Sequence, residues 1–191
     1  MAHVSIIGTG NMGSALAGLV TKGGNTVETF NSSDAGKPVT GEVVVLAVPH
    51  SALADIVAQR GSQLAGKVVV DITNPVDFTT FDSLVVAPDS SAAAELAAAV
   101  PDATVLKAFN TNFAATLSSG TVGERPATVL VAGDDAEAKG RLVDLVSAAG
   151  LHGVDAGSLR RARELEALAF LEMTLAAAGT SSWTGGFVLH G

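Results

Sequence analysis

Residues 3–24 read HVSIIGTGNMGSALAGLVTKGG, and no other stretch restricts the fold as much. His3 to Ile7 is a short run carrying Val4, Ile6 and Ile7, the kind a strand buried on both faces of a parallel sheet requires. Gly8, Thr9, Gly10, Asn11, Met12 and Gly13 follow at once as G-x-G-x-x-G. In that pattern the first glycine permits the sharp turn, the second removes a side chain that would block a pyrophosphate, and the third lets the next helix approach the strand. The helix, from Asn11 to about Thr21, places Leu16, Leu19 and Val20 at helical spacing and aims free N–H groups at an anion. A second strand, Thr26 to Phe30, arrives at the expected distance. The pattern predicts a Rossmann-type α/β chain with a doubly wound, mostly parallel sheet and a seat for dinucleotide phosphates. Glycines alone, without the flanking strand and helix, would indicate only a turn.

The strand that ends at Phe30 leads into Asn31, Ser32, Ser33 and Asp34, where such domains choose between NAD and NADP. An acidic side chain there takes the ribose 2′-OH, whereas hydroxyls with a nearby cation accept a 2′-phosphate. Asn31, Ser32 and Ser33 with Lys37 lean toward NADP, Asp34 leaves NAD possible, and a plain polar turn is the third reading. Residues 34–42 hold Gly36, Pro38 and Gly41 without a helical pattern, so the usual crossover helix is expected to be missing. Glu42 to Val48 reads as a buried strand and Ala52 to Arg60 as a helix. Between them, Val48, Pro49 and His50 fall at a strand's carboxyl end, where open parallel sheets bind ligands. His50 either contacts a ligand, as hydrogen-bond donor or proton carrier, or simply opens the helix.

Lys67 to Ile72 is a fourth strand, followed by Thr73, Asn74 and Pro75, which can line a nicotinamide pocket. Asp71 reads as a satisfied buried carboxylate. The loop 77–88, with Phe78, Phe81 and Leu84, is too apolar to stand free in water. A serine-capped helix over 90–100 precedes a strand over 104–109. Within that strand Lys107 is expected to snorkel or to be paired, and Asn110 and Thr111 follow at the ligand edge. A loop over 120–125, a strand over 126–132, a helix over 134–149 and a short strand over 151–155 complete the sheet domain, residues 1–157. Residues 158–191 form a helical extension, with a long helix over 158–178 in which Arg160 stands four residues before Glu164. The extension is expected to pack on the sheet as one structural unit. Trp183 in the tail either covers a planar ligand ring or plugs the core.

Composition narrows the partners. A net charge of −8 argues against nucleic acid and against an anionic membrane surface, both of which need a basic footprint. With no cysteine, the chain has neither disulfides nor thiolate chemistry, and His3, His50, His152 and His190 are too scattered for a metal site. Neither a signal sequence nor a long apolar segment is evident, so a cytoplasmic protein is expected. Hydrophobic residues at 48% against 16% charged exceed what a small monomer usually hides, and the surplus is read as a homodimer interface.

With GTGNMG, AVPH, DITNP, KAFNTNF and the RARELE helix in order, the chain resembles the coenzyme F420-dependent NADP oxidoreductase family over essentially its whole length. The resemblance implies hydride transfer between NADPH and a second ring stacked on the nicotinamide, a deazaflavin (F420) or a flavin. It implies that Gly8 to Gly13 hold the pyrophosphate and that Ser32 and Ser33 hold the 2′-phosphate. Val48 to His50 with Asn74 and Pro75 would line the nicotinamide, and Asn110 and Thr111 the acceptor ring. One departure stands out: the family places Ser-Arg at the end of the second strand, and this chain has Asn-Ser-Ser, without the guanidinium that best grips a phosphate. Hydride transfer between stacked rings needs position more than an acid or base. That agrees with a sequence lacking a triad or a carboxylate pair. Two other readings remain open here, a non-catalytic dinucleotide-binding sensor or subunit, and a reductase of a small carbonyl or imine, which would need a proton donor such as His50 or Lys107.

Overall fold

The computed structural model describes residues 1–189, so His190 lies outside the described residues. The apolar run His3–Ile7 forms β1, flanked on one side by β2 (Thr26–Phe30) and on the other by β3 (Val43–Leu46). Beyond β3 come β4 (Val68–Asp71), β5 (Thr104–Lys107), β8 (Thr128–Gly133) and β9 (His152–Gly157), giving the order β2-β1-β3-β4-β5-β8-β9. Every pairing in this seven-stranded sheet is parallel except β5 with β8.

Alternation along the strands divides the core in two. Val4, Ile6, Val43, Val45 and Val70 face α1 (Asn11–Lys22), α4 (Ala114–Ser119) and α5 (Ala136–Ala148). Ile7, Val44, Leu46, Val69 and Val105 face α2 (Leu53–Leu64) and α3 (Ala92–Ala99). Both faces are therefore covered, which is why the central strands read as unbroken apolar runs rather than alternating ones. β2 is an edge strand and carries Glu28, which accepts hydrogen bonds from Ser5 Oγ (2.5 Å) and the backbone N–H of Thr40 (2.8 Å). Partial burial alone would raise the Glu28 pKa, but these hydrogen bonds outweigh it and hold the carboxyl below its ordinary range.

No α-helix joins β2 to β3: a short 3-10 turn, Ser32–Asp34, and a loop stand in its place, as the glycines and proline there suggest. The loop is packed down by Val39, which is buried with Leu53 and Leu64 of α2. α6 (Ala162–Ala177) turns its small side chains, Ala162 and Ala169, inward with Leu165. No helix among the described residues is long and apolar enough to cross a membrane.

Several expectations shift. The strands around the ligand edge end early, at Leu46, Asp71 and Lys107, because the chain leaves the ladder to build loops there. α4, AATLSS, has too little periodicity to be legible, and the loop over 120–125 is a small hairpin of β6 (Thr121–Val122) and β7 (Arg125–Pro126). The last helix begins as a 3-10 turn, Leu159–Arg161, and it is Arg161 rather than Arg160 that pairs with Glu164 (3.5 Å). Trp183 does not plug the core, being 49% exposed.

Candidate functional site

Because β1, β3, β4 and β5 run parallel, their carboxyl ends share one edge of the sheet. The glycine turn opens this edge. Gly8 has φ +117°, and a Cβ there would stand 2.0 Å from the carbonyl oxygen of Ala47. A Cβ on Gly13 would meet the Gly8 carbonyl oxygen, also at 2.0 Å, so this glycine lets α1 lie directly on the turn. Gly10 is different: nothing lies within 4 Å of where its Cβ would be. It is the residue preceding α1, whose N-terminus has neither a capping side chain nor an acidic residue in its first turn. Uncapped N–H groups beside an open glycine suit a phosphate group, and Thr9, Asn11 and half-buried Met12 complete the turn.

At the tip of β2, Asn31 Oδ1 accepts hydrogen bonds from the Ser33 N–H (2.8 Å) and Ser33 Oγ (2.7 Å), and Ser32 and Ser33 are exposed. Asp34 turns inward. Its carboxylate accepts from the Asn31 N–H (3.0 Å) and pairs with Lys37 Nζ (2.6 Å), a reciprocal cap that leaves the side chain only 12% exposed. The Lys37 ammonium first, and the Asn31 N–H second, hold this carboxyl below the usual carboxylate range. Beneath the loop lies Arg60 of α2, which is 2% exposed. Its guanidinium donates to the carbonyls of Lys37 (2.8 Å) and Asp34 and stands 5.0 Å from the centre of the Phe30 ring. Asp34 is thus part of the loop's own frame rather than an outward acid.

After β3, Ala47 donates its N–H to Ile7 O (2.8 Å), which keeps Val48 and Pro49 beside the glycine turn. His50, half-buried, opens a 3-10 turn (His50–Ala52) at one end of a groove of about 490 Å³ between α2 and α3. The groove is lined chiefly by Leu53, Val57, Leu96 and alanines, an apolar surface on the flank of the sheet rather than a place for charged phosphates.

The ends of β4 and β5 are joined by reciprocal amides. Asn74 Nδ2 donates to Asn110 O (2.9 Å), and Asn110 Nδ2 donates to Asn74 Oδ1 (3.0 Å) and to Leu165 O of α6 (2.9 Å). Pro75 is buried next to Asn74. Phe109 bends the chain between β5 and Asn110 with φ +61°, a conformation rare for a bulky residue and concentrated at functional sites. Four buried atoms along this edge lack a protein hydrogen-bond partner: Thr73 Oγ1, Asn110 Oδ1, Thr111 Oγ1 and Asn112 Oδ1. Buried polar atoms are normally satisfied, so a cluster of four marks a place for a polar ligand or water.

Behind this edge sits a fully buried ion network. Lys107 is neither a snorkelling lysine nor a solvent-reaching base: its ammonium contacts Asp71 (2.8 Å), Glu166 (2.8 Å) and the Thr73 carbonyl (2.5 Å) at zero exposure. Asp71 also accepts the Thr73 N–H (2.8 Å), and Glu166 accepts the N–H groups of Ala92 (3.0 Å) and Ala93 (3.4 Å) at the start of α3. Sequence reasoning missed Glu166 and Arg60. Each nonetheless carries a signal, since Glu166 stands on the inward face between Ala162 and Ala169, and Arg60 stands on that between Leu53 and Leu64. A charged residue on a helix's buried face needs a partner.

A doubly wound sheet with an open glycine turn at its carboxyl edge is the architecture of dinucleotide-dependent oxidoreductases. Residues 20–75 match the family model "NADP oxidoreductase coenzyme F420-dependent". The chain is 30% identical over 160 residues to the F420-dependent NADP reductase of Methanocaldococcus jannaschii, covering 82% of this chain and 70% of that protein. It is 36% identical over 141 residues to the metalloreductase STEAP3 of Rattus norvegicus, covering 73% of this chain but only 27% of that longer protein. A crystal structure described as a candidate F420-dependent NADP reductase, from Arthrobacter sp. FB24, superposes over the whole of both chains with a TM-score of 0.85 at 24% identity. The chain belongs to the coenzyme F420-dependent NADP oxidoreductase family, and it is an NAD(P)H-dependent oxidoreductase.

Proposed function

We propose that this protein passes a hydride between NADPH and a planar tricyclic acceptor, a deazaflavin such as F420 or a flavin. The observation that carries the reading is the row of strand ends, with open Gly10 at one side and the unsatisfied atoms of Thr73, Asn110 and Thr111 at the other. When bound, NADPH supplies a hydride that reduces the acceptor ring, NADP⁺ is left, and the balancing proton comes from solvent. The turn from Gly8 to Gly13 and the start of α1 hold the pyrophosphate. Asn31, Ser32 and Ser33 receive the 2′-phosphate; their exposure and the inward turn of Asp34 support NADP over NAD. Val48, Pro49, His50, Asn74 and Pro75 border the nicotinamide. Asn110 and Thr111 face the acceptor, and the amide pair with Asn74 keeps the two sides of the site in fixed relation.

Position is what these residues contribute, since a hydride moves only across a short, well-aligned gap. Of the two side chains that could deliver a proton here, Lys107 is committed to two carboxylates, which leaves His50 alone in that role. This arrangement favours a ring acceptor over a carbonyl or imine, which would need a proton delivered in place. A homodimer belongs to the same proposal; exposed Phe78, Val85, Leu171 and Leu175 on the 77–88 loop and α6 support it.

The test is titration with NADPH and NADH, then stopped-flow mixing of the complex with F420, FMN and FAD. Preferential NADPH binding and rapid bleaching of one ring acceptor are expected. Tight dinucleotide binding without transfer to any of the three would overturn the reading.

A further inference from the structure

Trp183 is the sole tryptophan, and it is neither buried nor loose. Phe113 meets it edge-on, with ring centroids 5.0 Å apart and planes inclined by 60°. The chain around it is pinned at several points. Gly185 donates its N–H to Ser182 O (2.8 Å), closing a tight turn around the tryptophan. Thr116 Oγ1 donates to Gly185 O (2.6 Å), Gly186 forms an antiparallel bridge with Asn112, and Leu189 donates its N–H to Thr128 Oγ1 (3.0 Å). The result is an indole held in one place while about half of its surface stays open.

Its place is specific. Phe113 immediately follows Asn110, Thr111 and Asn112, the segment with three of the four unsatisfied buried atoms. α4, which Phe113 opens, lies along α1. At its far end a Cβ on Gly120 would stand 3.7 Å from Nζ of Lys22, the last residue of α1. Phe113, three residues past Asn110, thus holds Trp183 beside the segment that leaves the carboxyl end of β5. An apolar plane left open at the ligand edge is costly in water unless something flat covers it.

We propose that Trp183, braced by Phe113, is the platform on which the acceptor ring stacks; this rests on the hydride-transfer reading above. The ligand class is a planar fused ring with a polar edge of N–H and carbonyl groups. The ring face lies on the indole, and the polar edge reaches toward the unsatisfied oxygens of Asn110, Thr111 and Asn112.

The protein has one tryptophan, so its emission comes from this residue alone. With NADP⁺ present, added F420 or FMN should quench Trp183 emission saturably, at the same midpoint as the change in the acceptor's own fluorescence. Trp183→Ala should weaken acceptor binding about 3- to 10-fold, the range for a stacked aromatic pair, and raise the acceptor KM, with NADPH affinity and Tm retained. Trp183→Phe should recover most of the loss. Unchanged acceptor affinity in Trp183→Ala, with transfer intact, overturns the platform and leaves hydride transfer standing. Failure of the wild-type protein to bind either ring overturns both.

Discussion

Replacing Lys107 with Met removes the only cation from a site holding two fully buried carboxylates, Asp71 and Glu166. Methionine nearly matches the lysine stem in volume, so the change tests charge more than packing. Asp71 keeps the Thr73 N–H and Glu166 keeps those of Ala92 and Ala93, but neither set of dipoles replaces an ammonium at 2.8 Å. Breaking a buried ion pair by deleting one partner costs about 3–5 kcal/mol, out of a total stability of roughly 5–15 kcal/mol. For a chain of this size that lowers Tm by roughly 6–20 °C. Urea denaturation at neutral pH measures the loss directly. Adding Glu166→Gln and Asp71→Asn to Lys107→Met should recover much of it, because two buried charges no longer oppose each other without a counterion. A single variant that loses less than about 1 kcal/mol would refute the argument, as would a triple variant no better than the single.

Gly8→Ala should cost more than about 3 kcal/mol or prevent folding, since the new methyl would collide with a backbone carbonyl at positive φ, whereas Gly10→Ala should fold normally and bind NADPH at least roughly 10-fold more weakly; melting curves with NADPH titrations compare the two. Burial raises the Glu172 pKa from 4.5 to about 7, so the folded state holds a proton that the unfolded state releases, and the resulting stability falls as pH rises through that interval. Glu172→Gln should therefore be more stable than wild type at pH 8 by about 1 kcal/mol, after discounting for partial exposure, and parallel stability–pH profiles for the two proteins would contradict this. Asp34, held below its usual range by Lys37 and the Asn31 N–H, stabilises the fold above the ordinary carboxylate pKa and loses that contribution as pH falls through the depressed value. Asp34→Asn should lower Tm at pH 7 and leave NADPH and NADH binding largely unchanged; a selective loss of NADH would show instead that Asp34 contacts the ribose.

Local pattern carried much of this protein. The strand, glycine turn and helix over 3–22 were legible because each requirement, apolar strand, φ-permissive glycine and periodic helix, is met by neighbours in the chain. The missing crossover helix after β2 was legible for the same reason, from Gly36, Pro38 and Gly41. Asn74 and Asn110 could be assigned to the ligand edge from their positions just past apolar strands. That they hydrogen-bond each other could not, because the pairing depends on β4 and β5 being neighbours in the sheet.

Only the tertiary structure decided which charges are structural and which groups stand open. Glu166 reaches Ala92, 74 residues away in sequence, and in doing so commits Lys107 and removes it from the list of possible acids. From the chain alone Asp34 left NAD possible, but Lys37 and Asn31 turn it inward, over Arg60. Trp183 likewise left two readings open in the sequence, and its exposure removes the core plug. A sequence pattern records what each residue needs from its near neighbours. The partner of a buried charge, or the exposure of one ring, is set by which distant segments the sheet brings together.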